Sequence, residues 1–312
     1  MPTGTSSSDV TATGVARPGG AGRLAGHTVS RVGFGAMQLE RLHGDRGAAV
    51  TLLRRAVELG VDHMDTAQFY GNGFVNKLIR DTIRPEDGVV VVTKIGADPD
   101  PDGPLPLRAA QRPEELRAGV EDNLRSLGVD QLPVVNLRRL DIGPGIQPAG
   151  DQVVDLDDQL AVMTAMRDEG KIGAFGLGSV TADGLRRAIP AGIACVQNAY
   201  SLVTRDDQDL VELCAEEGIA WVPFFPLGGA FPQMPKVTEE PAVRDVAASI
   251  GCTPSQLGLA WLLRHAPNVL LIPGTANPAH LEANVAAGAI TLDDATLATL
   301  DAVPSRSADI RL

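Results

Sequence analysis

The chain has 312 residues, 44% hydrophobic and 21% charged, which is typical of a globular protein of one or two domains. Its formal net charge of −12 argues against a nucleic-acid surface, which needs a basic patch, and leaves anionic ligands to local cations or helix N-termini. No apolar run is long enough to span a bilayer, and Cys195, Cys214 and Cys252 lack zinc-site or CxxC spacing, so we expect a cytoplasmic protein with free thiols and no metal.

The first 20 residues differ in composition from the rest of the chain. Residues 1–20 are rich in Gly, Ser and Thr and contain no apolar segment of the secretory type, which predicts a disordered leader. The folded domain is predicted to extend over residues 21–312, with a small hairpin at 21–30. Short β-branched runs then alternate with amphipathic helical stretches. Eight runs are predicted to be strands: 31–36, 62–67, 89–95, 132–138, 173–179, 194–199, 219–224 and 269–273.

The stretches between these runs carry helix start and stop signals. Leucine and valine recur at the spacing of one helix face in 113–127. Thr253-Pro-Ser-Gln256 has the pattern of a capping box, and Asn277-Pro278 has that of an N-cap followed by a first-turn proline. Glycines are expected to end four helices in the left-handed conformation: Gly60, Gly128, Gly218 and Gly251. A last helix is predicted over 292–303.

Eight β-then-α units predict a parallel sheet covered by helices, and a single-domain α/β fold, the (β/α)8 TIM barrel, is the natural arrangement for them. A doubly wound open sheet is the alternative. It is disfavoured because the first strand is not followed by GxGxxG. Three long connections, 96–111, 140–156 and 228–240, are expected at the carboxyl-end face of the barrel, over the active site.

Polar residues follow the carboxyl ends of neighbouring strands. Asp65 and Tyr70 follow the second strand, Lys94 ends the third and Arg138 ends the fourth. In a barrel these ends surround one pocket. Reduction of a carbonyl by hydride needs a proton donor, and a phenol can serve where an ammonium stabilises its phenolate and a carboxylate holds that ammonium. We therefore interpret Tyr70 as the general acid, supported by Lys94 and Asp65.

Motifs in matching order resemble the aldo-keto reductase family over residues 29–303. They are D-T-A-x-x-Y-G (65–71), V-T-K (92–94), G-K-I (170–172), G-L-G-S (176–179), V-Q-N (196–198), and I-P-G-T with H-L-E-A-N (272–284). Three further stretches, 33–39, 134–138 and 222–229, resemble the branch of bacterial pyridoxal reductases (pyridoxine 4-dehydrogenases). The resemblance implies a barrel that reduces an aldehyde or ketone to an alcohol with NADPH, with pyridoxal as the candidate substrate and NADH as the alternative cofactor.

The resemblance matches Asp65, Tyr70 and Lys94 to three of the family's four catalytic positions. The fourth is usually histidine, whereas here Arg138 occupies it, and no histidine is close enough in the sequence to take its place. Arginine stays charged and donates in a fixed fork, but it cannot relay a proton. We hypothesise that Arg138 favours a substrate with an acceptor or anionic group beside the carbonyl, such as a phenolate.

The resemblance also implies a set of cofactor-binding residues: Gly35, Ser179, Gln197, Phe224, Pro226, Leu227, Gly274, Thr275, His280, Glu282 and Asn284. Where the family often has Ser-Asn to hold the nicotinamide carboxamide, this chain has Gly178-Ser179, while Gln197 remains as a carboxamide partner. Phe224 matches the ring that commonly stacks on the nicotinamide.

The adenosine end of the cofactor is expected at the last barrel helix. Gly274 and Thr275 precede a helix N-terminus that suits an anion, and His280 stands where many relatives have the arginine that pairs with the 2′-phosphate. Glu282 and Asn284 match adenine-side positions. Relatives with the same H-L-x-x-N motif commonly use NADPH, so NADPH is preferred over NADH.

Two other functions fit the same residues. A tailoring ketoreductase acting on a sugar or natural product would differ in the three long loops, which set specificity. A cofactor-binding barrel that regulates a partner would fit the changes at Arg138 and Gly178-Ser179, although the retained phenol, lysine and carboxylate argue against it. In each case we expect small-molecule ligands, with neither nucleic acid nor a membrane as partner. Tyr200 is interpreted equally as pocket wall or as packing, and His63 as packing.

Overall fold

The computed structural model describes residues 8–103, 106–143, 145–229 and 233–306. Its strands, in chain order, are β1 (Ala21–Leu24), β2 (His27–Ser30), β3 (Phe34–Gly35), β4 (His63–Asp65), β5 (Val90–Ile95), β6 (Ala97–Pro99), β7 (Leu107–Ala109), β8 (Leu132–Arg138), β9 (Ile172–Gly178), β10 (Cys195–Gln197) and β11 (Ala220–Trp221). Seven of them form one parallel sheet in the order β3-β4-β5-β8-β9-β10-β11.

An eighth segment closes this sheet into a barrel. Isolated parallel bridges join Val269 to Trp221 of β11 at one edge and Leu271 to Val32, just before β3, at the other. The (β/α)8 barrel predicted from the sequence is thereby confirmed, and the open sheet is excluded. Most of the regular strands are shorter than predicted. Twist and tilt in a closed barrel separate neighbouring strands towards their ends, so regular pairing survives mainly over their middle residues.

Alternate strand residues fill the barrel interior with apolar side chains. One buried cluster contains Leu24, Val29, Val90, Val92, Val134, Cys195, Ala220, Val222, Leu270 and Ile272. Leu24 and Val29 belong to the antiparallel hairpin β1–β2, the predicted hairpin at 21–30, which plugs the amino end of the barrel. Lys94 and Gln197 come two residues further along their strands than members of this cluster. They therefore share its inward direction one layer nearer the carboxyl end.

Helices cover the outside of the barrel: α1 (Arg46–Glu58), α2 (Phe74–Thr82), α3 (Pro113–Leu127), α4 (Leu156–Asp168), α5 (Ala182–Ala188), α6 (Gln208–Glu216), α7 (Pro241–Ile250), α8 (Pro254–His265), α9 (Pro278–Ala286) and α10 (Asp294–Asp301). Short 3-10 helices lie at Ala36–Leu42, Pro85–Asp87, Gly150–Gln152, Ile189–Ala191, Val237–Glu239 and Ala287–Ala289. The predicted caps are confirmed, since Thr253 accepts from the Gln256 N–H and Asn277 accepts from the Ala279 N–H. The four predicted glycines all have positive φ.

Part of the predicted leader is ordered against the amino end of the barrel. Residues 8–20 form turns closed by a bridge between Val10 and Ala16, and Arg17 Nε donates to the buried Asp62 carboxylate at 2.8 Å. Composition predicted disorder over 1–20 because it does not reveal that a buried carboxylate, distant in sequence, needs this cation. Residues 1–7 lie outside the described residues, so for them disorder stays a prediction.

The described parts of the three long connections follow the carboxyl ends of β5, β8 and β11. The first contains the antiparallel hairpin β6–β7. The three cysteines are free thiols, of which Cys195 and Cys214 are buried. Among the helices of the described ranges, none alone is long and apolar enough to cross a membrane, and α7 and α8 meet that test only jointly, across a bend of 93°.

Candidate active site

Three polar side chains meet where β4 and β5 end. Asp65 is the last residue of β4, and Lys94 lies one residue before the end of β5. Lys94 Nζ contacts the Asp65 carboxylate and donates to the Tyr70 hydroxyl oxygen and the Thr66 carbonyl, both at 3.1 Å. Asp65 and Lys94 are only 4% and 8% exposed. Because water cannot solvate these charges fully, each relies on the other and on the polar groups around it.

Lys94 remains charged in spite of its burial. Burial alone lowers the pKa of this ammonium, but the charges of Asp65 and Tyr70, with the hydrogen bonds to both, outweigh it and raise the pKa above the ordinary lysine value. A charged lysine here can stabilise negative charge that develops on the Tyr70 oxygen while a proton is being transferred. This pairing therefore suits a phenol that exchanges a proton with a substrate.

The loop that carries Tyr70 is fixed by a buried polar network that the sequence analysis did not identify. Thr66 Oγ1 donates to Asn76 Oδ1 of α2 at 2.8 Å, and Asn76 Nδ2 donates to Asn123 Oδ1 of α3 at 3.0 Å. Thr93 Oγ1 of β5 also donates to Asn123 Oδ1, at 2.5 Å. These bonds tie both ends of the Tyr70 loop to the residue preceding Lys94, which fixes the distance between phenol and ammonium.

Gln197 joins the catalytic group from the opposite wall. Its Nε2 donates to Asp65 Oδ2 at 2.8 Å, so the Asp65 carboxylate is held by Lys94 on one oxygen and by Gln197 on the other. Because the amide nitrogen of Gln197 is used in this way, its Oε1 remains available to accept from an amide N–H of a ligand. The sequence predicted a ligand role for Gln197 but not its bond to Asp65.

Arg138 ends β8 directly opposite Gly178 of β9. A Cβ added at Gly178 would lie 3.2 Å from the Gln197 carbonyl oxygen, which is a tight contact, and 3.9 Å from Arg138 Cγ, which is an ordinary one. The Arg138 guanidinium lies over the Phe69 ring, 5.6 Å from its centroid. Phe69 meets the Tyr70 ring edge-on at 5.1 Å. Arg138, Phe69 and Tyr70 thus form a continuous row beside the phenol.

Within the part of the chain that the structure describes, no carboxylate forms an ion pair with the Arg138 guanidinium. Burial lowers the pKa of Arg138, and the charges of Tyr70 and Asp65 act in the opposite direction. Burying a cation that has no ion-pair partner costs free energy, because water no longer solvates its charge. An anionic group on a bound ligand would offset that cost.

The catalytic group opens into a cleft with a volume of about 880 Å³. The predicted residues in its wall are Gly35, Asp65, Tyr70, Lys94, Gln197, Phe224, Pro226, Leu227, Gly274, Thr275, His280 and Asn284. Wall residues that the sequence analysis did not single out for this site include Met37, Gln38, Arg41, Phe225, Ser255 and Gln256. The sequence analysis identified Gln256 as part of a capping box, but it predicted only a role in starting the helix and not a place in the cleft wall.

Three predicted residues are not part of this wall. Arg138 lies over the Phe69 ring, as described. Ser179 is buried beside Gln197, to whose carbonyl its N–H donates at 2.9 Å. Glu282 accepts from Arg55 of α1 at 2.8 Å, so its carboxylate is directed away from the cleft. The resemblance placed Glu282 on the adenine side, and a motif does not show this charge partner.

Tyr200, which the sequence left open between pocket wall and packing, and His63, which was predicted to pack, are both buried outside the cleft wall. Tyr200 is fully buried, its ring centroid 5.9 Å from that of Trp221 and its hydroxyl 2.9 Å from His265 Nε2. It does not contribute to the cleft wall. His63 is buried in the barrel, in the space that the missing Cβ of Gly33 leaves for its ring.

Comparison with known proteins agrees with this geometry. The model of the Aldo/keto reductase family matches residues 31–304. The chain belongs to the aldo/keto reductase family. It is 44% identical over 288 residues to a pyridoxine 4-dehydrogenase of Escherichia coli (strain K12), covering 90% of this chain and 96% of that protein. It is 34% identical over 284 residues to an uncharacterised oxidoreductase of Schizosaccharomyces pombe, covering 88% of this chain and 86% of that protein.

Solved structures show the same fold. An aldo/keto reductase from Klebsiella pneumoniae in complex with NADP and acetate matches with a TM-score of 0.76 at 24% identity, covering 94% of this chain and 99% of that one. A second Klebsiella pneumoniae aldo-keto reductase, in complex with NADPH, gives a TM-score of 0.73 at 24% identity, covering 92% and 96%. The predicted family and fold are confirmed, and this aldo/keto reductase is an oxidoreductase that acts on carbonyl or alcohol groups.

Two departures of this aldo/keto reductase from the family pattern are neighbours in space. Arg138 replaces the usual histidine and Gly178 replaces the usual serine, and the two residues are register partners on adjacent strands. A Cβ at Gly178 would be in ordinary van der Waals contact with the Arg138 side chain, 3.9 Å from its Cγ. The two positions are therefore neighbours at the carboxyl ends of β8 and β9.

Proposed function

We propose that this aldo/keto reductase reduces an aldehyde or ketone to an alcohol with NADPH, and that Tyr70 donates the proton. The observation that carries the proposal is the Tyr70 hydroxyl, 3.1 Å from the Lys94 ammonium at the wall of the cleft. Because the ammonium donates to the phenol oxygen, the phenol O–H remains available for a carbonyl oxygen in the cleft. As that proton leaves, Lys94 stabilises the phenolate, and Asp65 holds Lys94 in place.

The residues of the cleft fit an extended dinucleotide. Phe224 offers a flat apolar surface near the catalytic end, and Gln197 Oε1 can accept from a carboxamide N–H. Thr275 and His280 lie at the other end, where the N-terminus of α9 suits a phosphate. NADPH bound in this way would supply the hydride. The acidic charge of the whole chain, −12, makes these local groups responsible for holding the cofactor's phosphates.

His280→Arg is expected to tighten NADPH binding by about tenfold, since a guanidinium pairs with a phosphate more strongly and at every pH of interest. NADH binding should stay within twofold, because NADH has no 2′-phosphate. Fluorescence titration of wild type and variant with each cofactor measures the change in Kd for NADPH and for NADH. An equal gain for NADH and NADPH would place His280 away from the 2′-phosphate.

Arg138 supports a narrower proposal about the substrate. An oxygen anion next to the reacting carbonyl would give the unpaired guanidinium its partner while the carbonyl oxygen faces Tyr70. Pyridoxal carries a phenolic oxygen beside its aldehyde, and a relative that is 44% identical bears the name pyridoxine 4-dehydrogenase. We therefore propose aromatic aldehydes with an ortho hydroxyl as the substrate class and pyridoxal as the candidate.

Arg138→Met is expected to lower kcat/KM for pyridoxal and for salicylaldehyde by about 10- to 100-fold, the value of a charge-assisted hydrogen bond. Benzaldehyde, which lacks the ortho oxygen, should change by less than about threefold. Steady-state kinetics on the three aldehydes distinguishes a loss specific to ortho-hydroxy substrates from a general loss of activity. Arg138→Lys tests whether a positive charge alone is enough for activity on pyridoxal and salicylaldehyde. If Arg138→His raised activity equally on simple aldehydes and pyridoxal, the anion-binding role would be refuted.

The function is tested by following NADPH consumption with pyridoxal and a panel of other carbonyl compounds. Turnover of pyridoxal supports both the reaction and the substrate class. Turnover of other carbonyls alone keeps the reaction and contradicts the substrate class, which favours a tailoring ketoreductase. Tight NADPH binding without any turnover contradicts the catalytic proposal and favours a regulatory barrel.

A further inference from the structure

One buried asparagine fastens the backbone that follows β9. Asn198 Oδ1 accepts from the Val180 N–H at 3.1 Å, and its Nδ2 donates to the Val180 carbonyl at 2.9 Å. Asn198 and Val180 are 1% and 0% exposed. A single amide thus satisfies both backbone groups of Val180, as a neighbouring strand would. The same Nδ2 also donates to Asp207 Oδ2 at 2.8 Å.

The residue next to this clamp is Ser179, whose φ of 53° lies in the left-handed region. Serine adopts this conformation less readily than glycine or asparagine, so tertiary contacts must hold it there. Its N–H donates to the Gln197 carbonyl, and its carbonyl accepts from the Asp141 N–H, both at 2.9 Å. With Val180 clamped on the other side, the Ser179 backbone is held from three directions.

Asp207 anchors this arrangement from the N-terminus of α6. Burial raises the pKa of Asp207 to about 6, although the hydrogen bond from Asn198 lowers it. The carboxylate is therefore charged at neutral pH. The negative charges of Asp206 and Asp209, in the same segment, also raise the pKa of Asp207, and the charge of Asp207 in turn raises the pKa of Tyr200. The bond from Asn198 to a charged acceptor is stronger than a neutral one. It fixes the rotamer in which the other amide atoms reach Val180.

We propose that Asn198 and Asp207 are positioning residues: they hold the Ser179 backbone, and through its bond to the Gln197 carbonyl they hold Gln197 in the geometry that receives the nicotinamide carboxamide. This inference rests on the proposed function as an NADPH-dependent reductase. Asn198 directly follows Gln197 in the chain, so one segment supplies both a carboxamide acceptor and the clamp on the facing loop. The clamp helps to hold Ser179 in the left-handed conformation, which serine adopts less readily than glycine or asparagine.

The test compares Asn198→Ala and Asp207→Ala with the wild-type chain. Three ligands are titrated: NADPH, its 3-acetylpyridine analogue, which lacks the amide N–H₂, and 2′,5′-ADP, which lacks the nicotinamide. Each variant should raise the Kd for NADPH by about tenfold, the value of one buried hydrogen bond. The Kd for 2′,5′-ADP should stay within twofold. The preference of the wild-type protein for NADPH over the acetylpyridine analogue should disappear.

Two controls separate positioning from folding. Asp207→Asn keeps the shape and removes the charge, so its Kd for NADPH should fall between the wild-type and Asp207→Ala values. Asn268→Ala removes a comparable bond, from Nδ2 to the Ile219 carbonyl at 2.9 Å, at the amino end of the barrel, and should leave the ligand preference unchanged. If Asn198→Ala does not fold, the two Asp207 variants decide the question.

The outcomes distinguish this inference from the proposed function. Folded variants that keep the wild-type preference for NADPH over the acetylpyridine analogue would overturn the positioning role while leaving NADPH binding intact. Equal weakening of all three ligands would also overturn it, because a general loss of structure would then explain the result. A wild-type chain that does not bind NADPH would contradict the proposed function itself.

Discussion

Tyr70→Phe is expected to lower kcat for carbonyl reduction by about a hundred- to ten-thousand-fold, the usual contribution of a positioned general acid. The Kd for NADPH should stay within about twofold, because the variant removes one hydroxyl and leaves the wall of the cleft in place. Lys94 would lose one acceptor but keep Asp65 and the Thr66 carbonyl. Steady-state kinetics and fluorescence titration of NADPH on the same preparation measure the two effects separately.

Tyr200→Phe is the matched control for this experiment. Tyr70 and Tyr200 are the chain's two tyrosines, and Tyr200 is buried outside the cleft wall, where its hydroxyl contacts Gln208 and His265. Its removal should lower stability by about 1 kcal/mol and leave kcat unchanged. Wild-type turnover in Tyr70→Phe would mean that the proton comes from another group, and the proposed mechanism would have to be abandoned.

The convergence of Asp65, Tyr70 and Lys94 could be predicted from the sequence because the barrel fixes where strand ends meet. Asp65, Tyr70 and Lys94 are far enough apart in sequence to fall on two strands, and a closed parallel sheet brings those strand ends together whatever the exact strand bounds. Gln197 was predicted differently, from the resemblance to the family. The prediction that Asp65, Tyr70 and Lys94 converge depended on the order of the strands and on which strand residues point into the barrel, and both follow from the hydrophobic pattern of the sequence.

The remaining features depend on side-chain partners that no local pattern reveals. Glu282 turns to Arg55, and Arg17 reaches Asp62, because charges distant in sequence attract each other in the folded state. Phe69 occupies an unspecified position of the D-T-A-x-x-Y-G motif, so its place beside Arg138 had no sequence signal. The pairing of Arg138 with Gly178 depends on strand register, which hydrophobic alternation defines only to within two residues.

Lys94→Met is expected to destabilise the fold by about 3–5 kcal/mol, because it leaves the Asp65 carboxylate buried with only an amide N–H from Gln197. Activity should fall at least as far as in Tyr70→Phe, since the phenolate loses its stabilising charge. Denaturant titration and kinetics measure the two losses. Lys171→Met is the control, because Lys171 and Glu121 form a partly exposed pair whose removal should cost at most about 1 kcal/mol.

The double variant Lys94→Met/Asp65→Asn separates charge burial from catalysis. Removing both charges should recover part of the lost stability, since no unpaired ion is then left in the interior, while activity should remain as low as in Lys94→Met.

Because the pKa of Lys94 is raised in the folded state, the contribution of Lys94 to stability is fully present below the ordinary lysine pKa. It is lost only as pH rises through the higher folded value. The stability gap between wild type and Lys94→Met should therefore stay constant from neutral pH up to the ordinary lysine range and narrow above it. A gap that narrowed already at neutral pH would mean that Lys94 is not held as a permanent cation, and the support of the phenol by a charged lysine would fail with it.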